Sequence, residues 1–213
     1  MSVLSKREIV RRLGLTVKNP ESLVVTPLLE RKKAIDVDSI DLRLGSYFLL
    51  PRVSQQPFLC PDKRSSSFLQ QSVHVPLGRY LVVPAHETVL GMTLEFIKLP
   101  YDIAGQILTK SSVARTFIVV ETAPWIHPGY RGCLTLEIAN VSNTPLLLYP
   151  GRRIAQLVLM RVRPKPVRAD VLEGTYLGPV YPEAAKFKDP WEDLKAVGVD
   201  QVWGIPPVEP RSY

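Results

Sequence analysis

Between residues 37 and 162 the chain is cut by proline and glycine into short apolar segments, a spacing that favours an all-β fold over any other. The segments run at 39–50, 80–83, 88–94, 105–109, 134–140, 145–148 and 154–162, and they are rich in Val, Ile, Leu, Thr and Tyr. Apolar and polar residues alternate in Asp41-Leu42-Arg43-Leu44 and in Leu134-Thr135-Leu136-Glu137-Ile138, which is the period of a strand. Turn signals stand between them at Pro84-Ala85-His86, Pro128-Gly129, Ser142-Asn143 and Pro150-Gly151. Many short strands with frequent turns predict a sandwich or a barrel. Residues 54–67, with Gln, Lys, Arg and a serine triplet, predict an exposed hairpin loop.

The two ends depart from this pattern. Residues 5–13 predict a short helix with Ile9, Val10 and Leu13 near one face, and Ser5 and Glu8 have the spacing of a capping box. At the other end Pro164, Pro166, Pro206, Pro207 and Pro210 flank a helix predicted around 182–197, with Pro182 near its start and Gly198 as its stop. This divides the chain into a domain over 1–165 and a C-terminal extension or lid over 166–213. The 213 residues suffice for one sizeable core. No run approaches the apolar length of a membrane span, the longest being Phe117 to Val120, and the N-terminus lacks a signal-peptide core. A cytoplasmic protein is expected. Cys60 and Cys133 have no paired spacing, so two free thiols are expected.

Charge narrows the ligands. Twenty-seven basic against twenty acidic residues leave +7. The excess is scattered, with short clusters at Arg11-Arg12, Arg31-Lys32-Lys33 and Arg152-Arg153, and no aromatic-interleaved basic stripe suggests nucleic acid. A triphosphate needs only a few cations. Gly-x-Gly-x-x-Gly, the Walker motif and Gly-x-Ser-x-Gly are all absent, which argues against dinucleotide, P-loop and hydrolase-elbow chemistry. His74, His86 and His127 lack metal-ligand spacing. The zinc deaminases need His-x-Glu and a later Pro-Cys-x-x-Cys, and neither occurs, so any deamination is expected to proceed without zinc.

Two places carry candidate chemistry. Lys110-Ser111-Ser112-Val113-Ala114-Arg115 lies between two strand-like segments. On its own it reads first as a solvated polar turn; the alternative is an anion cradle, with hydroxyls and main-chain N–H groups on phosphate oxygens and Arg115 forked onto two of them. Glu137 alternates with Leu136 and Ile138, so it reads first as part of a solvent face with Thr135 and Ala139. On the wall of a cleft it would be a general base.

These residues, taken in order, resemble the dCTP deaminase family of the dUTPase-like superfamily. The resemblance covers about 4–163. Leu4-Ser5-Lys6-Arg7-Glu8-Ile9 is similar to the family's opening helix, and Ser39-Ile40-Asp41-Leu42-Arg43-Leu44-Gly45 to its Ser-Val-Asp-Leu-Arg-Leu-Gly strand. Val89-Leu90-Gly91-Met92-Thr93-Leu94-Glu95 with Leu99-Pro100 also fits. Lys110-Ser111-Ser112 through Arg115 resembles Arg/Lys-Ser-Ser-x-x-Arg, and Pro128-Gly129-Tyr130-Arg131-Gly132 leads to Leu136-Glu137 and Asn140 as the family motif does. Tyr149-Pro150-Gly151 through Ile154-Ala155-Gln156-Leu157 completes the set.

The resemblance implies a distorted β-barrel of the β-clip kind, a homotrimer with active sites between subunits, and a Mg²⁺-bound nucleoside triphosphate as ligand. It implies that dCTP is deaminated to dUTP, with dUTP or dTTP as further ligands. Glu137 takes the place of the catalytic carboxylate, which draws a proton from the water attacking C4 of cytosine. Ser111 and the main chain at Ala123 hold that water, and Arg115 steadies the site. Lys110, Ser112 and Gln156 fall at nucleotide-binding positions, and Tyr176, in a faint echo of the family's Lys-Tyr-x-Gly-Gln lid, at a phosphate contact.

The member is divergent. His127 stands where the family has aspartate, Trp125 is placed to crowd or stack on a base, and the stretch from Arg115 to Thr122 is one residue short. Three functions stay open: a dCTP deaminase, a dUTP-cleaving or bifunctional enzyme forming dUMP, and a non-catalytic nucleotide-binding regulator.

Overall fold

A computed structural model describes residues 2–52, 70–121, 124–163 and 178–184. The chain opens with β1 (Ser2–Val3), α1 (Lys6–Leu13), β2 (Val24–Thr26) and α2 (Arg31–Ala34). It continues through β3 (Ser39–Arg43), β4 (Tyr47–Pro51), β5 (Gln70–His74), β6 (Leu81–Val83) and β7 (Thr88–Lys98). Then come β8 (Ile103–Thr109), α3 (Ser111–Ala114), β9 (Ile118–Glu121) and β10 (Trp125–Ile126). The last are β11 (Arg131–Asn140), β12 (Leu146–Leu148) and β13 (Arg153–Arg161).

One sheet runs β1-β13-β8-β10 with β3 also on β13, a second runs β5-β4-β7-β11-β9 with β2 on β7, and β12 pairs β6. A single apolar cluster draws on both large sheets, from Ile40, Leu42 and Leu157 of the first to Phe48, Leu136 and Ile138 of the second. This is the all-β distorted barrel with short helices that the resemblance implies, within the sandwich-or-barrel class that the strand spacing predicts. No described helix is long and apolar enough to cross a membrane.

The predicted segment at 39–50 splits into β3 and β4 because the chain changes sheets there. Gly45 makes the change feasible: its N–H donates to the Met92 carbonyl at 2.7 Å, and a Cβ would sit 2.9 Å from the Met92 side chain. The loop predicted over 54–67 lies outside the described residues, but the strands flanking it, β4 and β5, pair from Tyr47↔His74 to Pro51↔Gln70. Most of the helix predicted around 182–197 also lies outside them; Pro182 to Ala184 are not helical. Cys60 is likewise outside, and Cys133 is a buried free thiol.

The N-terminal helix forms, but not through the capping box. Ser5 makes no side-chain cap, and Glu8 is drawn away from the backbone by three guanidinium groups. Arg11 and Arg12 each donate to it, Arg11 at 2.8 Å and Arg12 at 2.9 Å, and Arg161 of β13 reaches it at 3.1 Å. A charged donor outcompetes a neutral N–H for a carboxylate. The hydrogen bonds from Arg11, with those from Arg12 behind them, hold the Glu8 carboxyl down at about 2 against the opposing effect of burial.

A segment of the C-terminal extension docks on the domain. β11 pairs β7 along one edge from Arg131 to Ala139, while on its other edge β9 covers only Glu137 to Asn140. The uncovered part of that edge receives residues 178–183. Gly178 N–H donates to the Arg131 carbonyl and Cys133 N–H to the Pro179 carbonyl, both at 2.7 Å. Glu183 N–H follows on the Thr135 hydroxyl at 3.2 Å, and the Tyr181 ring meets Tyr47 edge-on at 4.8 Å. Only glycine serves at 132 beneath this strap: its φ is +145°, and a Cβ would fall 2.6 Å from Pro179 Cδ and 3.0 Å from Pro179 backbone atoms. Gly132→Ala therefore expels the strap and costs about 1–3 kcal/mol of stability from backbone strain. Urea denaturation of the variant checks this, with faster proteolysis after residue 178 as its companion.

Candidate active site

The turn that resembles a nucleotide cradle grows directly out of β8. Lys110 N–H donates to the Ile154 carbonyl at 3.0 Å, and the Lys110 carbonyl then accepts from Val113 and Ala114, starting the one-turn helix α3. Arg115 closes the turn by donating its N–H to the Ser111 carbonyl at 3.2 Å. The turn is thus held by backbone bonds at both ends, while Ser111, Ser112 and Arg115 are exposed. Among the described residues no partner engages their side chains, which leaves two hydroxyls and a guanidinium facing solvent.

Lys110 differs from its neighbours. Its ammonium donates to both carboxylate oxygens of Asp41, at 2.9 and 2.8 Å. Asp41 is 5% exposed, so the polar face of the β3 alternation is covered rather than solvated. Arg153 approaches the same carboxylate at 3.9 Å and joins Arg43 on Glu30, at 2.9 and 3.0 Å. Gln156 sits in register with Asp41 on one side and Leu108 on the other, which brings it beside the root of the turn. Lys110, Arg43 and Arg153 face Asp41 and Glu30 here, and burial pushes the nearby Glu95 carboxyl up to about 7 even though it accepts the Arg43 N–H.

Glu137 stands on β11 with its side chain exposed, between buried Leu136 and Ile138. Its backbone is in register with Leu90 of β7 and Glu121 of β9. It therefore lies where the edge partner of β11 changes from the strap to β9. The turn runs into the start of β9, and Glu137 is in register with Glu121 at its other end. Thr109, the residue before Lys110, bonds Val120, and Val120 is in register with Ile138. Trp125 and His127 are both exposed near the other half of β8, Trp125 opposite Gln106. Gln106 is about 10 Å along the strand from Thr109 at 3.3 Å per residue. Ala123 and Tyr176 lie outside the described residues.

A family model described as dCTP deaminase-like matches residues 3–162. This chain belongs to the dCTP deaminase-like family. It is 35% identical over 156 residues to a protein of Dictyoglomus thermophilum named "dCTP deaminase, dUMP-forming", covering 73% of this chain and 78% of that one. It is 32% identical over 198 residues to the protein of the same name from Methanothermobacter thermautotrophicus, covering 90% and 97%. The crystal structure of 2'-deoxycytidine 5'-triphosphate deaminase from Agrobacterium tumefaciens superposes with a TM-score of 0.56 and 25% identity. That superposition covers 75% of this chain and 48% of the other.

Within this dCTP deaminase-like domain the turn and Glu137 lie at opposite ends of β9, and β3 and β13 bring Asp41, Gln156 and Arg153 beside the turn. Asp41 and Arg153, which lie beside the turn, were not named as candidate site residues from sequence. Asp41 carried no local signal, because Ser39, Asp41 and Arg43 read together as the polar face of an alternating strand. Thr109 carried none, because a threonine at the end of a strand is ordinary.

Proposed function

We propose that this protein hydrolyses the exocyclic amine of dCTP and carries the nucleotide on to dUMP. The observation that carries this reading is that the Ser111–Arg115 turn and Glu137, both exposed, adjoin the same short strand β9 in a domain of this family. Glu137 takes a proton from water as its oxygen bonds C4 of cytosine. The tetrahedral adduct then breaks the C4–N4 bond, and the proton returns to nitrogen, so that ammonia leaves. Ser111 and the main chain at Ala123 hold the water, and Arg115 steadies the site. Ser112, Gln156 and Tyr176 take phosphate-side contacts. Lys110 does so with the one ammonium donor that Asp41 does not use. Trp125 and His127 border the base and sugar.

The final product proposed is dUMP rather than free dUTP, because the relatives that cover most of this chain are named dUMP-forming. The second step adds a further water at the α-phosphorus and releases pyrophosphate. Magnesium enters with the nucleotide as part of the substrate: both oxygens of Asp41, the carboxylate beside the turn, are occupied by Lys110, which leaves the phosphates to carry the ion. Assembly as a homotrimer with shared sites belongs to the same proposal.

Purified protein incubated with dCTP and Mg²⁺ is expected to release ammonia, with dUMP and pyrophosphate accumulating together. Ammonia with dUTP alone would remove the second step. Nucleotide binding without ammonia would overturn the enzyme and favour the regulator.

A further inference from the structure

Lys110 is tied to two strands at once. Its N–H donates to the carbonyl of Ile154, at the register shift in β13, and its side chain crosses β13 to reach Asp41 on β3. Asp41 lies on the outer face of β3, since Ile40 and Leu42 on either side of it are fully buried in the core. Both its oxygens accept from the Lys110 ammonium, at 2.9 and 2.8 Å, and the carboxylate is buried while the lysine side chain is 27% exposed. Arg153 stands close enough to compete for that carboxylate, but Glu30 takes its guanidinium at 2.9 Å and leaves it 3.9 Å from Asp41. An ammonium has three N–H donors, and among the described residues the third has no partner.

From this geometry we infer that Asp41 is a positioning residue for nucleotide binding, holding the Lys110 ammonium at the root of the Ser111–Arg115 turn with one N–H left for a polyphosphate oxygen. The inference rests on the proposed reading of that turn as the phosphate side. It makes no use of Glu137, so it is the same whether the carboxylate of a shared site comes from this subunit or from a neighbour. A lysine free in solvent loses rotamer freedom when it grips a ligand, whereas one already clamped has lost it on folding. The clamp also gives the contact a direction: with Asp41 against it, the ammonium serves as a single hydrogen-bond donor more than as a mobile point charge. Loss of the carboxylate therefore weakens triphosphate binding through Lys110.

Asp41→Asn keeps the shape but offers the ammonium a single acceptor and sets an NH₂ group against it. It is expected to raise the Kd for dCTP with Mg²⁺, and for inorganic tripolyphosphate, by about tenfold, the order of one hydrogen bond to a charged group. Lys110→Met is expected to do the same. The double variant should bind within about twofold of Lys110→Met, because residues that act through one contact do not add. A readout independent of turnover is the ¹H–¹⁵N signal of the Lys110 ammonium. It should be visible in the parent, shift on addition of tripolyphosphate, and vanish in Asp41→Asn. Parental affinity in Asp41→Asn would overturn the inference, as would losses that add in the double variant or an ammonium signal indifferent to Asp41. Should Asp41→Asn fail to fold, the parent's signal decides alone: one that is missing, or that tripolyphosphate leaves in place, sinks the clamp. If the parent binds both ligands but releases no ammonia, the proposed deamination falls and the same cycle still decides the inference. If it binds neither, the phosphate-side reading and the inference fall together.

Discussion

Glu137→Gln is expected to stop ammonia release, lowering kcat on dCTP by about 10²–10⁴-fold, the contribution of a positioned general base. Glutamine keeps the size and hydrogen-bonding reach of glutamate but has no basic oxygen at neutral pH. The side chain is exposed, and the β11 ladder is carried by backbone groups, which glutamine leaves in place. The variant should melt with the parent and bind dCTP with similar affinity. A second signature separates a missing base from a disturbed fold: the acid limb of the pH–rate profile, set by ionisation of the carboxylate, should vanish from any residual activity. Glu137→Asp, whose carboxylate is drawn back by one methylene, should recover a small fraction of the rate. Full turnover by Glu137→Gln would remove the carboxylate from the mechanism and return the residue to the solvent face that its alternation first suggests.

How much of this was legible in the sequence follows from which forces act locally. The alternation of β11 placed Glu137 outward between Leu136 and Ile138, and the structure does the same, because burial of one face of a strand fixes every side chain on it. The breaks at proline and glycine located most of the long strands. Short strands such as β9 and β10 carry too few residues for a period to be read, and they are set by what they pair with. Asp41 shows a different limit. Its alternation implies a wet face, yet Lys110, 69 positions later in the chain, lies across it. The sequence cannot announce which distant cation will cover a carboxylate. The same holds for Glu8, whose capping-box spacing is local while the guanidinium of Arg161 comes from the last strand. Chemistry was legible through resemblance and not through pattern, since a polar turn and an acid on a strand are ordinary features of surfaces.

The largest stability loss is expected at Arg12, which ties the N-terminal helix to the rest of the domain. It is 1% exposed and donates to both oxygens of Asp102, at 3.0 and 2.6 Å, to Glu8 at 2.9 Å and to the Glu21 carbonyl at 3.2 Å. Asp102 leads into β8, so this cluster joins α1 to the strand from which the candidate turn emerges. Arg12→Met fills part of the volume and takes away the guanidinium that meets both oxygens of Asp102, and breaking a buried pair from one side costs about 3–5 kcal/mol. Against a total of about 5–15 kcal/mol for a domain, that is enough to unfold a marginal protein at modest denaturant. Arg11 makes as many contacts to carboxylates but sits at the surface, where water and salt screen the charges, so Arg11→Met should barely move the midpoint. The pair of variants therefore tests burial rather than charge count. Guanidinium denaturation with an unchanged slope is the measurement, and equal midpoints would sink the argument. The double variant Arg12→Met/Asp102→Leu supplies the sharper test. Removing both charges replaces an expensive desolvated pair by apolar contact, so most of the loss should return. The pH response should change as well. The Glu8 carboxyl lies below its usual value, so its contribution is complete above the ordinary carboxylate range and is lost as pH falls towards about 2. With Arg12 gone, Arg11 and Arg161 still hold Glu8, and the acid transition of the variant should shift upward in pH without disappearing.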